Sequence, residues 1–176
     1  GRQWRSLADT GAAAHILRRH GPAWSRLRRG QDYYMEGMLL WLEIDALLRG
    51  RTDGRVTLDD FCRYFFTPMG LDDFVRGEVI STLNRLHPYD WDGLVQRRVE
   101  SLQEAFDPAV AELLGYRLQH EAEPPSIPDS TFRHVPGVDL YDSLGAAFSA
   151  EGVVSDVLLG TPADHAKLGP GMQVLG

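Results

Sequence analysis

The chain has 176 residues, of which 43% are hydrophobic and 24% charged, and its formal net charge is −7. This balance is typical of a globular protein with one sizeable core or two small ones, and no apolar run approaches the roughly 20 residues of a membrane-spanning helix. The single cysteine, Cys62, excludes a disulfide framework and a zinc site built from four cysteines.

Both ends of the sequence resemble positions inside a domain. The first residue is glycine rather than methionine, and residues 172–176 resemble a strand that has begun but not ended. We therefore expect an internal fragment of a longer protein, in which a targeting signal would lie outside these residues. No cellular compartment is predicted.

Charge is distributed unevenly along the chain. Residues 1–30 carry +6, whereas the remainder carries −13. Five arginines surround Trp24 in residues 18–29, a pattern found in nucleic-acid-binding proteins. Because the rest of the chain is strongly acidic and would repel a polyanion, we predict no nucleic-acid partner. A solvated face, or pairing with acidic groups, explains these arginines better.

Capping and stop signals divide residues 1–121 into helices. The predicted helices run from Ser6 to about His20, from Tyr33 to Arg49, from Thr57 to about Phe66, from Asp72 to Leu86, from Trp91 onwards and from Pro108 to Gly115. The expected N-terminal caps are Ser6, Asp32, Thr57, Asp72, Asp90 and Asp107. A short strand is predicted over residues 116–119.

The predicted helix over residues 33–49 is the most informative element. Its apolar residues lie along two stripes that cover most of the circumference, which predicts a central, buried helix. Three acidic side chains also lie on it, namely Glu36, Glu43 and Asp45. We interpret all three as ion-paired or solvated, with Asp45 pairing to Arg49 one turn further on; a ligand or catalytic role is the alternative.

A linker separates this helical part from the end of the chain. Residues 122–134 contain three prolines and no apolar period, which predicts a linker between a helical unit over 1–121 and a β-rich unit over 135–176. The β-rich unit contains Tyr-Asp-Ser-Leu-Gly-Ala-Ala-Phe at 141–148 and Gly-Thr-Pro-Ala at 160–163. These segments resemble the start of a PDZ domain of the bacterial kind.

The PDZ resemblance implies a peptide-binding role for the turn at Leu144 and Gly145. A glycine-containing turn lets several backbone N–H groups point at one anion, here the carboxylate of a C-terminal peptide. The groove of a PDZ domain also needs a later helix, so we expect a truncated copy that does not close a peptide groove. An unrelated β-rich module is the alternative.

Five segments of the helical part carry a second resemblance. They are Trp4–Thr10, Arg29–Gly37, Leu40–Asp45, Thr57–Phe61 and Pro88–Trp91. These segments are similar to the region downstream of the zinc motif in the PDZ-containing glycyl aminopeptidases. The order of helical part, linker and PDZ domain also agrees with that family. We therefore expect a mainly α fold, the helical C-terminal half of a thermolysin-like peptidase domain, followed by a truncated β-rich PDZ domain.

The resemblance implies a zinc-dependent metallopeptidase as the parent protein, which removes small residues such as glycine or alanine from the N-terminus of peptide substrates. In such enzymes a His-Glu-x-x-His helix and a later Glu hold the zinc, which polarises the scissile carbonyl and activates water. That motif is absent here, and the nearest pair of histidines, His15 and His20, lies on poorly matched helix faces. We assign no metal ligand and expect this chain alone to bind no zinc and to be inactive.

The resemblance also implies a catalytic tyrosine. In related aminopeptidases the tyrosine of a Tyr-x-x-Gly pattern donates a hydrogen bond to the developing oxyanion, and residues 34–37 carry this pattern. Tyr34 is therefore the first catalytic candidate and Tyr33 the second, while a core tyrosine with a satisfied hydroxyl is the alternative. For the whole chain, the competing hypothesis is a non-enzymatic helical scaffold with a PDZ peptide-binding module. A His-Glu-x-x-His motif upstream would decide for the peptidase.

Overall fold

A computed structural model describes the chain except for residues 1–2, 18–23, 25–27, 70–73, 103–108, 118, 120–136 and 176 and the side chains of residues 17 and 67–69. The described helices are α1 (Leu7–Ala12), α2 (Ala14–Leu17), α3 (Asp32–Arg51), α4 (Leu58–Met69), α5 (Arg76–Leu86), α6 (Trp91–Val95), α7 (Ala109–Leu113) and α8 (Pro162–His165). A π-helical turn (Gln96–Glu100) continues α6. The strands are β1 (Gly137–Leu140), β2 (Ala146–Ser149) and β3 (Val154–Val157). Helices followed by a small antiparallel sheet are the coarse architecture that the sequence predicts.

The helical part is organised around one apolar cluster formed by α3, α4, α5 and α6. Its buried members are Ile44, Leu48, Phe61, Phe65, Leu83, Trp91 and Leu94. Trp91 is fully buried, and its indole N–H donates a hydrogen bond of 2.8 Å to the carbonyl of His87. Burial of each large side chain contributes about 1.5–3 kcal/mol, so this cluster fixes the C-terminal half of α3 in place.

The expectation that α3 is buried around most of its circumference is wrong for its N-terminal half. The buried residues of α3 are Glu43, Ile44, Ala46 and Leu48, all in the C-terminal half. The exposed apolar residues are Tyr34, Met35, Met38 and Leu42, all in the first eleven residues. The difference arises because the cluster with α4–α6 packs on α3 mainly beyond residue 40.

Two of the predicted helix caps are present as expected. The hydroxyl of Ser6 accepts a 3.2 Å hydrogen bond from the backbone N–H of Asp9, and the carboxylate of Asp90 accepts one of 3.0 Å from Gly93. At the start of α4 the bond runs the other way, because the backbone N–H of Thr57 donates to the carboxylate of Asp60 at 2.9 Å. Either arrangement satisfies a backbone donor that the helix leaves unpaired.

Other boundary predictions fail or fall outside the described residues. Asp32 does not cap α3, because it lies inside the first turn. Helix α4 extends to Met69, three residues past the predicted end. Residues 116, 117 and 119 are not in a strand, so that prediction is wrong for them. The caps at Asp72 and Asp107 and the linker over 122–134 lie outside the described residues.

The C-terminal β module, residues 137–175, is a sheet in the order β1-β2-β3 with all pairs antiparallel. Residues 171–174 pair with the outer edge of β3, where the backbone N–H of Val154 donates to the carbonyl of Met172 at 2.8 Å. The module has its own apolar cluster of Ala146, Val154, Val157 and Ala163, against which Trp24, Phe148 and Leu168 pack. No described helix is long and apolar enough to cross a membrane.

Candidate functional site

Tyr34 lies on the first turn of α3 and points into solvent. Its side chain is 61% exposed, so it is not a core tyrosine. The ring of Tyr33 lies beside it, with the two ring centroids 4.5 Å apart. An open concavity of about 390 Å³ borders Tyr34, lined by Gln31, Asp32, Tyr34, Met35 and Glu36. The phenol is therefore accessible to a molecule that occupies this concavity.

A buried arginine fixes the first two turns of α3 beneath that concavity. Arg29 is 2% exposed and has a left-handed backbone (φ +52°). Its guanidinium contacts the carboxylate of Asp32 at 3.0 Å, the carboxylate of Glu36 and the backbone carbonyl of Arg5. Charge-assisted hydrogen bonds on three sides compensate the buried charge and orient both carboxylates.

Ion pairs also fix the other half of α3. Glu43 receives two hydrogen bonds from the guanidinium of Arg98, at 2.8 and 3.0 Å. Asp45 pairs with Arg49 at 2.7 Å and also accepts the backbone N–H of Leu58 at 2.8 Å. The hydrogen bond to Asp45 raises the pKa of Arg49 above its ordinary value.

The acidic side chains on α3 therefore have structural partners. Glu36 pairs with Arg29, Glu43 with Arg98 and Asp45 with Arg49, which confirms the ion-pair interpretation. The i,i+4 pair was predictable from spacing alone, whereas the other two depend on tertiary packing. Ion pairs therefore hold both halves of α3, and the Tyr34 phenol near its start is exposed.

No zinc ligand set is found in the part of the chain that the structure describes. Among those residues, no group of three or more His, Cys, Asp or Glu side chains is arranged to hold a metal ion. Zinc in proteins is held by three or four such ligands. The described residues therefore do not fit a zinc centre by themselves. His20, His120 and His134 lie outside the described residues.

The second predicted site, the turn at Leu144 and Gly145, forms a cluster of convergent amides. The backbone N–H groups of Ser143, Leu144 and Gly145 all donate to one oxygen, the carbonyl of Leu140, at 3.3, 2.9 and 2.9 Å. We call these three donors the amide cluster. Gly145 has φ +79°, and a Cβ there would lie 2.1 Å from the hydroxyl of Thr161, so a glycine is required.

Hydrogen bonds from other residues of the module hold the turn that carries the amide cluster. The carbonyl of Gly145 accepts the N–H of Leu158 at 2.7 Å, and the carbonyl of Leu144 accepts the N–H of Ala163 at 2.9 Å. Because these two carbonyls accept hydrogen bonds from residues after β3 and in α8, the backbone N–H groups of the turn are held in an orientation that faces an acceptor. The position of this cluster was predicted, but its acceptor within the chain was not.

The Arg29 anchor was missed at the level of sequence. Arg29 belongs to the arginine-rich run, which predicted a solvated face or pairing without naming partners. Its spacing of three residues from Asp32 and seven from Glu36 crosses the start of a helix, where side-chain directions do not follow simple periodicity. The local signal in the sequence was Gly30 directly after Arg29, whereas the left-handed backbone at Arg29 is visible only in the structure.

Comparison with known proteins found no matching family model and no matching curated protein. The resemblance to the glycyl aminopeptidases and to PDZ domains therefore stays a prediction.

Proposed function

We propose that this chain belongs to a zinc-dependent aminopeptidase that removes small N-terminal residues from peptides, and that Tyr34 serves its active site. The observation that carries the proposal is the exposed phenol of Tyr34 beside an open concavity, on a helix fixed by buried ion pairs. The Tyr-x-x-Gly pattern at residues 34–37 supports the proposal further, because it resembles the pattern around the catalytic tyrosine of related aminopeptidases. The His-Glu-x-x-His motif that would hold zinc in such an enzyme is absent from this sequence.

The proposed role of Tyr34 is electrostatic. When water adds to a peptide carbonyl, negative charge develops on the carbonyl oxygen, and a correctly placed O–H donor stabilises that charge. A donor of this kind is effective only if it is already oriented, because reorganisation during the reaction would offset the gain. The ion pairs of Arg29 with Asp32 and Glu36 hold the helical turns that carry Tyr34, which supports such a placement. Tyr33 is the second candidate, since its ring is adjacent.

The test is Tyr34→Phe in the enzyme that contains this chain, assayed on a glycyl peptide substrate. Loss of one oxyanion donor lowers kcat by roughly 10²–10³-fold. Zinc content and KM stay close to wild type, because the hydroxyl acts on the transition state. Tyr64→Phe is the matched control, since Tyr64 is another exposed tyrosine, on α4.

Two outcomes would change the assignment. Wild-type turnover by Tyr34→Phe removes Tyr34 from the mechanism. If instead Tyr33→Phe loses turnover while Tyr34→Phe does not, the donor is Tyr33.

The convergent amides at 143–145 favour a second candidate function, a non-enzymatic helical scaffold with a peptide-binding module. Backbone amides that converge on one oxygen are typical of carboxylate recognition. This candidate predicts binding of a peptide with a free C-terminal carboxylate. It also predicts no peptidase turnover by any protein that contains the chain, and the kinetic assay above therefore separates the two candidates.

A further inference from the structure

Trp24 joins the segment before α3 to the C-terminal β module. Its indole packs against the apolar cluster of the module, and a Cβ built at Gly169 would lie 3.7 Å from its Cζ2 atom. In the part of the chain that the structure describes, Trp24 is the one residue from outside residues 137–175 among those packed on that cluster. No described element of the helical part packs extensively on a strand or helix of the module. Trp24 is therefore a principal contact between the described residues of the two parts.

The backbone at Trp24 has a conformation that a bulky residue rarely adopts. Its φ is +60°, in the left-handed region, and Arg29 shares this conformation with φ +52°. A left-handed backbone at a residue other than glycine costs free energy and persists only where surrounding contacts impose it. At Arg29 those contacts include the ion pairs with Asp32 and Glu36. At Trp24 the described side-chain contact is the packing of the indole on the β module.

Hydrogen bonds connect Trp24 to the ion pairs at the start of α3. The backbone N–H of Arg28 donates to the carbonyl of Trp24 at 2.8 Å. The carbonyl of Arg28 accepts the guanidinium of Arg5 at 3.1 Å, and the carbonyl of Arg5 accepts the guanidinium of Arg29. Because Arg29 also pairs with two carboxylates of α3, contiguous contacts run from the β module to the start of that helix.

From these contacts we infer that Trp24 is a positioning residue, through which the β module fixes the start of α3. The module holds the indole, and the hydrogen bond between Trp24 and Arg28 places the neighbouring Arg29 against its carboxylate partners. Packed side chains and hydrogen bonds of this kind carry coupling between separate parts of a protein. The inference gives the β module a part in shaping the concavity beside Tyr34, and its catalytic consequence rests on the proposed function.

The first experiment disrupts the contact from either side. Trp24→Ala removes the indole, whereas Gly169→Leu adds side-chain atoms beyond a Cβ that already lies at contact distance from it. Gly169→Ala is the matched control, because a Cβ 3.7 Å from the indole is an ordinary contact. The measurement is native-state hydrogen exchange by NMR in the 176-residue chain. It follows the amides of residues 36–40, which bond to carbonyls in the first turns of α3.

Exchange at residues 36–40 should accelerate about fivefold or more in Trp24→Ala and in Gly169→Leu, since coupling between sites is typically at least that strong. It should keep the wild-type rate in Gly169→Ala. The amides of residues 44–48, in the buried half of α3, are the internal reference and should keep their rates in all variants. A response of α3 to a substitution at residue 169 is a result that a purely local role of Trp24 would not give.

The catalytic consequence is measured in the enzyme that contains this chain, on the glycyl peptide substrate. Trp24→Ala should lower kcat by about fivefold or more and leave KM near wild type, because the hydroxyl of Tyr34 acts on the transition state. Trp24→Phe keeps an aromatic ring at this position and should restore most of the turnover.

Three outcomes would overturn the inference. Wild-type exchange at residues 36–40 in Trp24→Ala means that this residue does not position α3. Acceleration in Trp24→Ala but not in Gly169→Leu means that the β module takes no part. Equal acceleration at residues 36–40 and 44–48 indicates general destabilisation. By contrast, selective acceleration with unchanged kcat supports the positioning by Trp24 and overturns the proposed role of Tyr34.

Discussion

A single residue, Arg29, joins the N-terminal segment to the start of α3. Its charge is almost fully buried, and Asp32, Glu36 and the carbonyl of Arg5 surround it. Arg29→Met keeps the aliphatic stem but removes the charge, which leaves the poorly exposed carboxylate of Glu36 without its arginine. Breaking a buried pair in this way lowers the free energy of unfolding by about 3–5 kcal/mol, measured by urea denaturation.

Arg55→Met provides the matched control for that measurement. Arg55 is well exposed and lies 3.9 Å from the carboxylate of Asp53, so the same replacement should change stability by less than about 0.5 kcal/mol. If both variants unfold at the same urea concentration, Arg29 does not anchor the helix. Some other interaction would then have to hold the helical turn that carries Tyr34.

At the scale of elements, the two halves of α3 differ in burial. A leucine-to-alanine substitution in each half should therefore lower the free energy of unfolding by different amounts. Leu48 is fully buried in the helical cluster, whereas Leu42 is 39% exposed. Leu48→Ala should lower the free energy of unfolding by about 2–5 kcal/mol, because it leaves a cavity in the core. Leu42→Ala should lower the free energy of unfolding by less than about 1 kcal/mol, since the leucine at this position buries less apolar surface. Equal effects in thermal or urea unfolding would contradict the described packing.

The start of α4 predicts a pH dependence. Hydrogen bonds from the backbone N–H and hydroxyl of Thr57 hold the pKa of Asp60 below its ordinary value of 3.8. A lowered folded-state pKa means that the carboxylate stabilises the fold above pH 3.8 and loses this effect as the pH falls further. Asp60→Asn should therefore lower the melting temperature at pH 7, and the difference from wild type should shrink below pH 3.8.

Asp59→Asn is the control for Asp60, because it removes the same charge from the same turn. Asp59→Asn leaves the bonds between Thr57 and Asp60 intact, so its effect on the melting temperature at pH 7 should be smaller. A difference between Asp60→Asn and wild type that persists unchanged at pH 2 would rule out the ionised carboxylate as its cause.

Interactions between residues close in sequence could be predicted from the sequence, whereas tertiary packing could not. The caps at Ser6 and Asp90 and the pair of Asp45 with Arg49 involve residues within four positions, where spacing fixes geometry. By contrast, an apolar stripe on α3 does not reveal which half another helix covers. The link from Glu43 to Arg98 spans 55 residues, which no periodicity encodes. Likewise, the turn at Gly145 was visible in the sequence, but the acceptor of its backbone amides, the carbonyl of Leu140, was not.

At the scale of the whole molecule, the chain has two apolar clusters that share no member. One lies within residues 44–94 and the other within residues 146–163. The two candidate sites follow this division, since Tyr34 stands on the helix of the first cluster and the amide cluster belongs to the second.

The ligands available in the described residues determine how much zinc the chain as a whole retains. Tight zinc binding needs three or four ligands, and the described residues offer no such group. We expect the purified 176-residue chain, after dialysis against zinc and then buffer, to retain far less than one zinc per chain by mass spectrometry of metals. It should also release nothing from glycyl p-nitroanilide. Retention of one zinc per chain, lost on addition of a chelator, would place a ligand set in this sequence and return the metal chemistry to it.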